Sequence, residues 1–269
     1  MTDPSDSLSL AKQGSGPTDL PPPAPLRIAP QTALFLDFDG TLVEIADHPD
    51  DVIVPDTLPE VIASLAHALK GRLALVSGRS IAALENLLGP LEVAIAGSHG
   101  GEFRPAGADT VAPLADPLPG RVVEELDSFS KANGDMLVEP KPYSVAVHYR
   151  RHPHALESLL TRAEALAREE DLKLKHGKQV VELVMPGSDK GSALTAFMER
   201  PEFAGTQPLF LGDDVTDEDA FRVLEGLGGH GVLVGPMRPT AAHLRLPDVT
   251  AVHDWLAAAL RTHDQSEGN

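Results

Sequence analysis

The chain has 269 residues, with 22 Lys and Arg against 40 Asp and Glu, for a formal net charge of −18. Such a surface repels polyphosphate backbones, which excludes nucleic acid as an expected partner; a small phosphorylated ligand would be repelled too unless local cations overrode the field. The absence of cysteine excludes disulfides, thiolate nucleophiles and Cys-ligated zinc.

The length suits one large or two modest domains. No apolar run approaches the roughly 18 to 20 residues of a membrane span, and residues 1–30 lack the basic start and apolar centre of a secretory signal. The expectation is a cytoplasmic monomer with no membrane partner. Residues 1–30, with a Pro-rich run from Leu20 to Pro25, read as a disordered tail, as do residues 263–269.

The first buried strand leads from Leu34 into Asp37, Phe38, Asp39, Gly40 and Thr41. In an extended chain residues two apart face the same way, so Asp37 and Asp39 project together while Phe38 turns into the core. Two carboxylates so placed repel each other unless a cation sits between them or one stays protonated as an acid. Asp-Gly is also an ordinary turn pair, so the pentapeptide needs company.

Asp56 to Lys70 follows as a helix, with Leu58, Val61, Ile62, Leu65 and Leu69 as its apolar stripe. Arg72 to Ser77 is the next strand, Ser80 to Leu88 a helix, and Leu91 to Ala96 a third strand. This alternation predicts a parallel sheet wrapped by helices, with ligands beyond the carboxyl ends of the strands. The pattern then changes. A helix over Pro119 to Ala132 precedes strands over Met136 to Lys141 and Tyr143 to Arg150. A helix over Pro153 to Glu170 precedes a hairpin of Asp171 to Lys175 and Gln179 to Met185. That is an α+β unit over residues 105–186. The α/β pattern resumes with helices over Ser188 to Glu199, Thr216 to Leu224 and Asp254 to Arg261, and strands over Gln207 to Leu211 and Gly231 to Gly235. A core of residues 31–104 and 187–262 is thus split around an insertion.

Three further segments carry chemistry. Asp213, Asp214 and Asp217 follow the strand ending at Leu211 and add acids at another strand end. With Asp37 and Asp39 they form an all-oxygen ligand set, which selects Mg²⁺ over zinc or copper. Glu218 and Asp219 fit helix capping instead, because Thr216 and Asp219 have capping-box spacing. Ser77, Gly78 and Arg79 lie between a strand and a helix, where backbone amides attract an anion. Lys190 opens a helix; beside two acidic pairs, a cation there would hold and neutralise a phosphate. His148, His152 and His154 have neither helical nor zinc-finger spacing and belong to a hairpin and its helix start.

In this order and at these strand ends, the four segments resemble the haloacid-dehalogenase-like phosphohydrolases over about residues 31 to 260. The resemblance implies a Rossmann-like core with Asp37 as the nucleophile that forms an aspartyl-phosphate. Asp39 would be the acid/base, and Ser77 and Lys190 would grip the phosphoryl group. Mg²⁺ would be held by Asp37, the Asp39 carbonyl and Asp213, with Asp214 or Asp217 in support. Phe38, Gly78 and Arg79 would border the substrate.

The inserted unit is similar to the cap of that superfamily's sugar-phosphate members, and most of all to trehalose-6-phosphate phosphatases. His99 and Glu102 stand in a segment like that family's His-Gly-Ala-Glu, with Gly101 in place of the usual alanine. Glu139, Lys141 and Glu182 match its cap hairpins and by resemblance grip sugar hydroxyls; from the residues alone they are charges that protect exposed strands. The rival functions are hydrolysis of another sugar phosphate, a phosphomutase, and a sugar-phosphate sensor without turnover. A sensor has no need of an acid beside the nucleophile, and stoichiometric free phosphate excludes a mutase.

Overall fold

A computed structural model describes residues 19–46, 51–177 and 179–267. The first half of the core runs β1 (Thr32–Leu36), α1 (Leu58–Ala68), β2 (Leu73–Val76), α2 (Ile81–Leu88), β3 (Ala94–Gly97), β4 (Glu102–Arg104) and β5 (Ala112–Pro113). After the insertion come α5 (Lys190–Met198), β10 (Gln207–Gly212), α6 (Glu218–Leu224), β11 (His230–Val234), β12 (Leu244–Leu246) and α7 (Val249–Glu267). The insertion holds α3 (Gly120–Ala132), β6 (Leu137–Pro140), β7 (Ser144–His148), α4 (Leu156–Glu169), β8 (Lys173–Gly177) and β9 (Val180–Val184).

The core strands form one sheet in the order β12-β11-β10-β1-β2-β3-β4-β5, parallel from β12 to β3. Both faces of β1 are covered, which is why its sequence is apolar throughout rather than alternating. Leu34 and Leu36 pack on one side with Ile62 and Leu65 of α1, Leu84 of α2 and Leu256 of α7. Ala33 and Phe35 pack on the other with Leu194 and Phe197 of α5 and Phe221 of α6. The result is a three-layer α/β core with the carboxyl ends of β1, β2 and β10 side by side. Antiparallel β4 and β5 extend its edge, and neither was expected from the sequence.

The inserted unit is a four-stranded antiparallel sheet ordered β6-β7-β9-β8, with α3 and α4 on one face. Its own core includes Val122, Leu126, Val145, Leu159, Leu166 and Leu183. The hairpin expected between Lys175 and Gln179 forms; Lys178 lies outside the described residues.

Two expectations about the ends need correction. Residues 19–30 are not a loose tail. Leu26 is buried in the core, Trp255 donates to the Ala24 carbonyl, and Arg245 pairs with Asp19 while its amide donates to Pro21. The apolar residues here are too few to pack on one another but find partners in α7 and β12. Residues 1–18 lie outside the described part. Likewise α7 begins at Val249 rather than Asp254 and continues through residue 267, past the expected helix end at Arg261. Among the described residues no helix is long and apolar enough to cross a membrane.

Candidate active site

The Asp37 amide donates to the Leu211 carbonyl at 3.0 Å, which extends the β1–β10 pairing one residue past β1. The chain then doubles back, with the amides of Leu42 and Val43 both donating to the Phe38 carbonyl. Gly40 sits in this turn at φ 77°, and a Cβ there would fall 2.3 Å from the Asp213 carboxylate. Only glycine satisfies both demands. The turn therefore admits the acid from β10 directly above the end of β1.

Lys190 is the first residue of α5, where a cation opposes the helix dipole. It is buried, and its ammonium lies 2.9 Å from Asp37 Oδ1 and 2.6 Å from Asp217 Oδ1. Burial by itself would lower the lysine's pKa; Asp217 and Asp37 more than reverse this, and it stands above its ordinary value. Asp37 is pushed well up by burial and then by Asp217, against the pull of Lys190. Burial, with Asp217 and Asp214 adding to it, pushes Asp213 up to about 7. One ammonium, paired with two of them, thus stands among three carboxylates whose oxygens lie within 4.8 Å of one another, those of Asp37, Asp213 and Asp217. The cluster is short of positive charge, and Asp213 Oδ1 is buried without a hydrogen-bond partner. An all-oxygen set with an unmet acceptor suits a hard divalent cation.

Asp39 and Arg79 form a two-pronged ion pair, Nε to Oδ2 at 2.7 Å and the second nitrogen to Oδ1 at 2.8 Å. The Arg79 amide donates to Ser77 Oγ at 3.1 Å, so the buried Ser77 hydroxyl keeps its own hydrogen to donate. Behind this turn, the Ser98 amide donates to the Arg79 carbonyl and the His99 amide to the Ser77 carbonyl. His99 adopts φ 58°, and its imidazole is pushed down to about 3 by burial and then by Lys190, Lys141 and Lys175. It is a neutral ring at neutral pH. A cavity of about 280 Å³ is bordered by Asp37, Asp39, Gly78, His99, Lys190 and Asp213, with Asp214 also at its wall.

Ser77 and Arg79 do not border this cavity. Phe38, expected among the substrate-binding residues, does not either: its ring is fully buried with Leu34 and Leu36, as strand parity demands. Of the carboxylates expected at the metal site, those of Asp37, Asp213 and Asp217 are brought together. The Asp39 carboxylate pairs with Arg79, which leaves its backbone carbonyl, the atom expected as a ligand, untouched by that pair. Asp214 and Asp217 form a reciprocal capping box around a short turn, in which the Asp214 amide donates to Asp217 Oδ2. That box sits two residues earlier than the Thr216–Asp219 box expected from spacing. Asp217 keeps its other oxygen for Lys190, and so joins the cluster that the Asp214 carboxylate does not.

Glu139, Lys141 and Glu182 meet on the sheet face away from α3 and α4. Glu139, Ala146, Glu182 and Lys175 stand in one cross-strand row. Lys141 Nζ lies 3.7 Å from Glu139 and 3.8 Å from Glu182, Ser144 Oγ donates to Glu182 at 2.8 Å, and His148 Nε2 lies 3.0 Å from Glu139 Oε2. His148 and Lys175 were not expected in this group; strand parity was the signal that could have found them. Two ion pairs join the sheet to the core, Lys173 to Asp189 at 2.7 Å and Lys175 to Asp219 at 2.9 Å. At the seam, a Cβ on Gly101 would come 2.1 Å from the Tyr143 ring. Tyr143 fills the place a methyl would take, which suits glycine rather than the alanine that the resemblance led us to expect. Glu102 accepts from the Ile81 amide at 2.7 Å and so serves the first turn of α2.

The trehalose-phosphatase family profile matches residues 35–250, which takes in every residue of this site. The chain belongs to that family. The trehalose-6-phosphate phosphatase of Escherichia coli (strain K12) is 38% identical over 88% of this chain and 90% of its own length. A probable trehalose-phosphate phosphatase of Sinorhizobium fredii is 40% identical over 84% of this chain and 86% of its own. Among solved structures, the C-terminal domain of a Candida albicans trehalose-6-phosphate phosphatase superposes with a TM-score of 0.73 at 24% identity, covering 86% of this chain and 93% of that one. At that identity it speaks for the fold alone, an α/β core with a smaller inserted unit.

Proposed function

We propose that this trehalose-phosphatase family member hydrolyses trehalose 6-phosphate to trehalose and inorganic phosphate, in trehalose biosynthesis, with Mg²⁺ as cofactor. The observation that carries this reading is the buried Lys190 bridging Asp37 and Asp217 at 2.9 and 2.6 Å beside the unpartnered Asp213 oxygen. Burying so much charge is costly unless the arrangement is completed by a ligand.

Asp37, Asp213 and Asp217 would hold the Mg²⁺, which supplies positive charge to mask the phosphate dianion. Asp37 attacks phosphorus, its carboxylate oxygen forming the new bond as the bond to the sugar oxygen breaks. Lys190 neutralises nucleophile and phosphoryl oxygens together, and the free Ser77 hydrogen is available to one of those oxygens. Asp39 gives a proton to the departing sugar oxygen. It then takes a proton from water, which attacks phosphorus and releases phosphate and the Asp37 carboxylate. Asp39 starts as an ion-paired carboxylate, so it must part from Arg79 to carry a proton; a phosphate dianion is a competing partner for that guanidinium.

Glu139, Lys141 and Glu182 would bind sugar hydroxyls from the cap, and the neutral His99 ring can offer one donor and one acceptor within the cavity. A chain built this way has no need of a membrane or a second subunit to complete its site, and a cytoplasmic monomer fits it. The test is phosphate release from trehalose 6-phosphate with and without Mg²⁺. Turnover that needs the metal supports the reading; unimpaired turnover by enzyme shown metal-free by elemental analysis overturns the cofactor assignment, and no turnover overturns the function.

A further inference from the structure

We infer that Arg238 is a positioning residue for the cation site, holding the Asp213–Asp217 loop in the shape that brings its carboxylates to Asp37. Arg238 lies in the connection between β11 and β12, outside every segment that the sequence marked as chemical. Its guanidinium nevertheless reaches back to the loop after β10. Nε donates to the Asp213 carbonyl at 3.2 Å and a terminal nitrogen to the Asp214 carbonyl at 2.7 Å. The other terminal nitrogen pairs with the buried Glu218 carboxylate and donates to the Pro239 carbonyl at 3.1 Å. The second Glu218 oxygen accepts from the Ala241 amide at 2.7 Å, so the connection and the loop are tied to each other from both sides.

This tie answers a physical need. The three clustered carboxylates repel one another, and Lys190 reaches only Asp37 and Asp217. Asp213 has no such cation; its side chain stands over Gly40 by virtue of the backbone that carries it. Two consecutive carbonyls fixed by one planar fork set the orientation of the peptide between Asp213 and Asp214, and with it the direction of the Asp213 side chain. The fork geometry matters: an ammonium is a point donor that cannot span both carbonyls and Glu218 at once. Glu218 is therefore more than a helix-start acid, because it anchors the fork.

The inference rests on the proposed cation site. Groups that hold metal ligands in place are typically worth about 10- to 100-fold in metal affinity. Calorimetric titration of the full chain with MgCl₂ alone, without substrate, is the test, on wild type, Arg238→Lys and Glu218→Gln. The expected result is an Mg²⁺ affinity lowered about 10- to 100-fold by Arg238→Lys and less by Glu218→Gln. The kcat on trehalose 6-phosphate should return to within a few-fold of wild type once Mg²⁺ saturates. If wild type itself takes up no Mg²⁺, the cation site fails first. If wild type binds and a folded Arg238→Lys binds equally well, the inference is overturned; if that variant does not fold, equal binding by Glu218→Gln overturns it. A kcat that saturating Mg²⁺ does not restore also overturns it, since that marks a structural loss rather than a positioning one.

Discussion

In the core, the side chains of Asp37, Lys190 and Asp217 are at most 5% exposed and meet at 2.6 to 2.9 Å; on the cap, those of Glu139, Lys141 and Glu182 are 22 to 49% exposed and approach no closer than 3.7 Å. Both are clusters of two acids around one lysine. The buried one has given up hydration, so its geometry is held by charge and packing and admits few purposes other than binding or chemistry. The half-solvated one costs little to maintain, so a sugar grip and a solvated strand face look alike. Function can be read from burial in the first and has to be measured in the second.

The sharpest way to break that contrast is Asp37→Asn. An amide cannot attack phosphorus, so turnover on trehalose 6-phosphate should fall at least about 10³-fold. Because the change also removes one of three crowded carboxylates, the thermal midpoint of the metal-free protein should hold or rise. A variant with near-native turnover would remove the mechanism, and a large drop in midpoint would mean that the cluster serves stability rather than chemistry.

On the cap side, alanine at Glu139, Lys141 or Glu182 should each lower kcat/KM for trehalose 6-phosphate by about tenfold to a hundredfold, as expected for one lost charged hydrogen bond of about 1.5 to 3 kcal/mol. Hydrolysis of a small aryl phosphate, which has no disaccharide to grip, should change little. Equal losses on both substrates would point to the core or to folding. No loss on either would return the three residues to strand protection and leave the core chemistry standing.

His99 lies between the two regions and reports on both, since Lys190 of the core and Lys141 and Lys175 of the cap all oppose its charging after burial does. An unfolded histidine takes up a proton near pH 6.5, whereas this one holds out to about 3. The unfolded state therefore binds more protons in that window. The contribution to stability is complete above about pH 6.5 and is lost progressively as pH falls, by about 2 kcal/mol between pH 6.5 and 5. Asparagine tolerates the left-handed backbone at this position. Denaturant titrations of His99→Asn should show that much less loss over the same pH range; identical pH slopes for the two proteins would remove the claim.

The same contrast separates what could be read in the sequence from what could not. Acid pairs at the ends of apolar strands are legible because burial there is unavoidable, and Lys190 at a helix start is legible only through the acidic pairs that a cation there would serve. Which of Asp214 and Asp217 enters the cluster is not, since it depends on a capping box set two residues before the one that spacing suggests. Arg238 is invisible for a different reason: it acts on backbone carbonyls, which carry no residue signature, from more than twenty positions away. Leu26 and the short β4, β5 and β12 escaped because their partners lie far along the chain and their own patterns are too short. On the cap, Glu139, Lys141 and Glu182 came from family resemblance alone, and parity along β7 and β8 would have added His148 and Lys175.

The smallest effects are expected at the seam, where Lys173 and Lys175 cross from β8 to the core. Lys175 and Asp219 are both about a third exposed or less, and Lys173 is half exposed against a nearly buried Asp189. Pairs so hydrated contribute roughly 0.2 to 1 kcal/mol each, and less as salt rises. Lys173→Ala should cost more than Lys175→Ala, because Asp189 also caps α5 and is left with less support for its charge. Thermal midpoints at low and high salt for the two variants would check both the size and the order. Lys175 carries the more consequential outcome, since it shares a cross-strand row with Glu139 and Glu182. A Lys175→Ala change in kcat/KM on trehalose 6-phosphate within about threefold keeps it a core–cap tether. A selective loss of tenfold or more, with the aryl phosphate spared, would enrol it in the sugar site and carry that site across the full width of the cap sheet to the core.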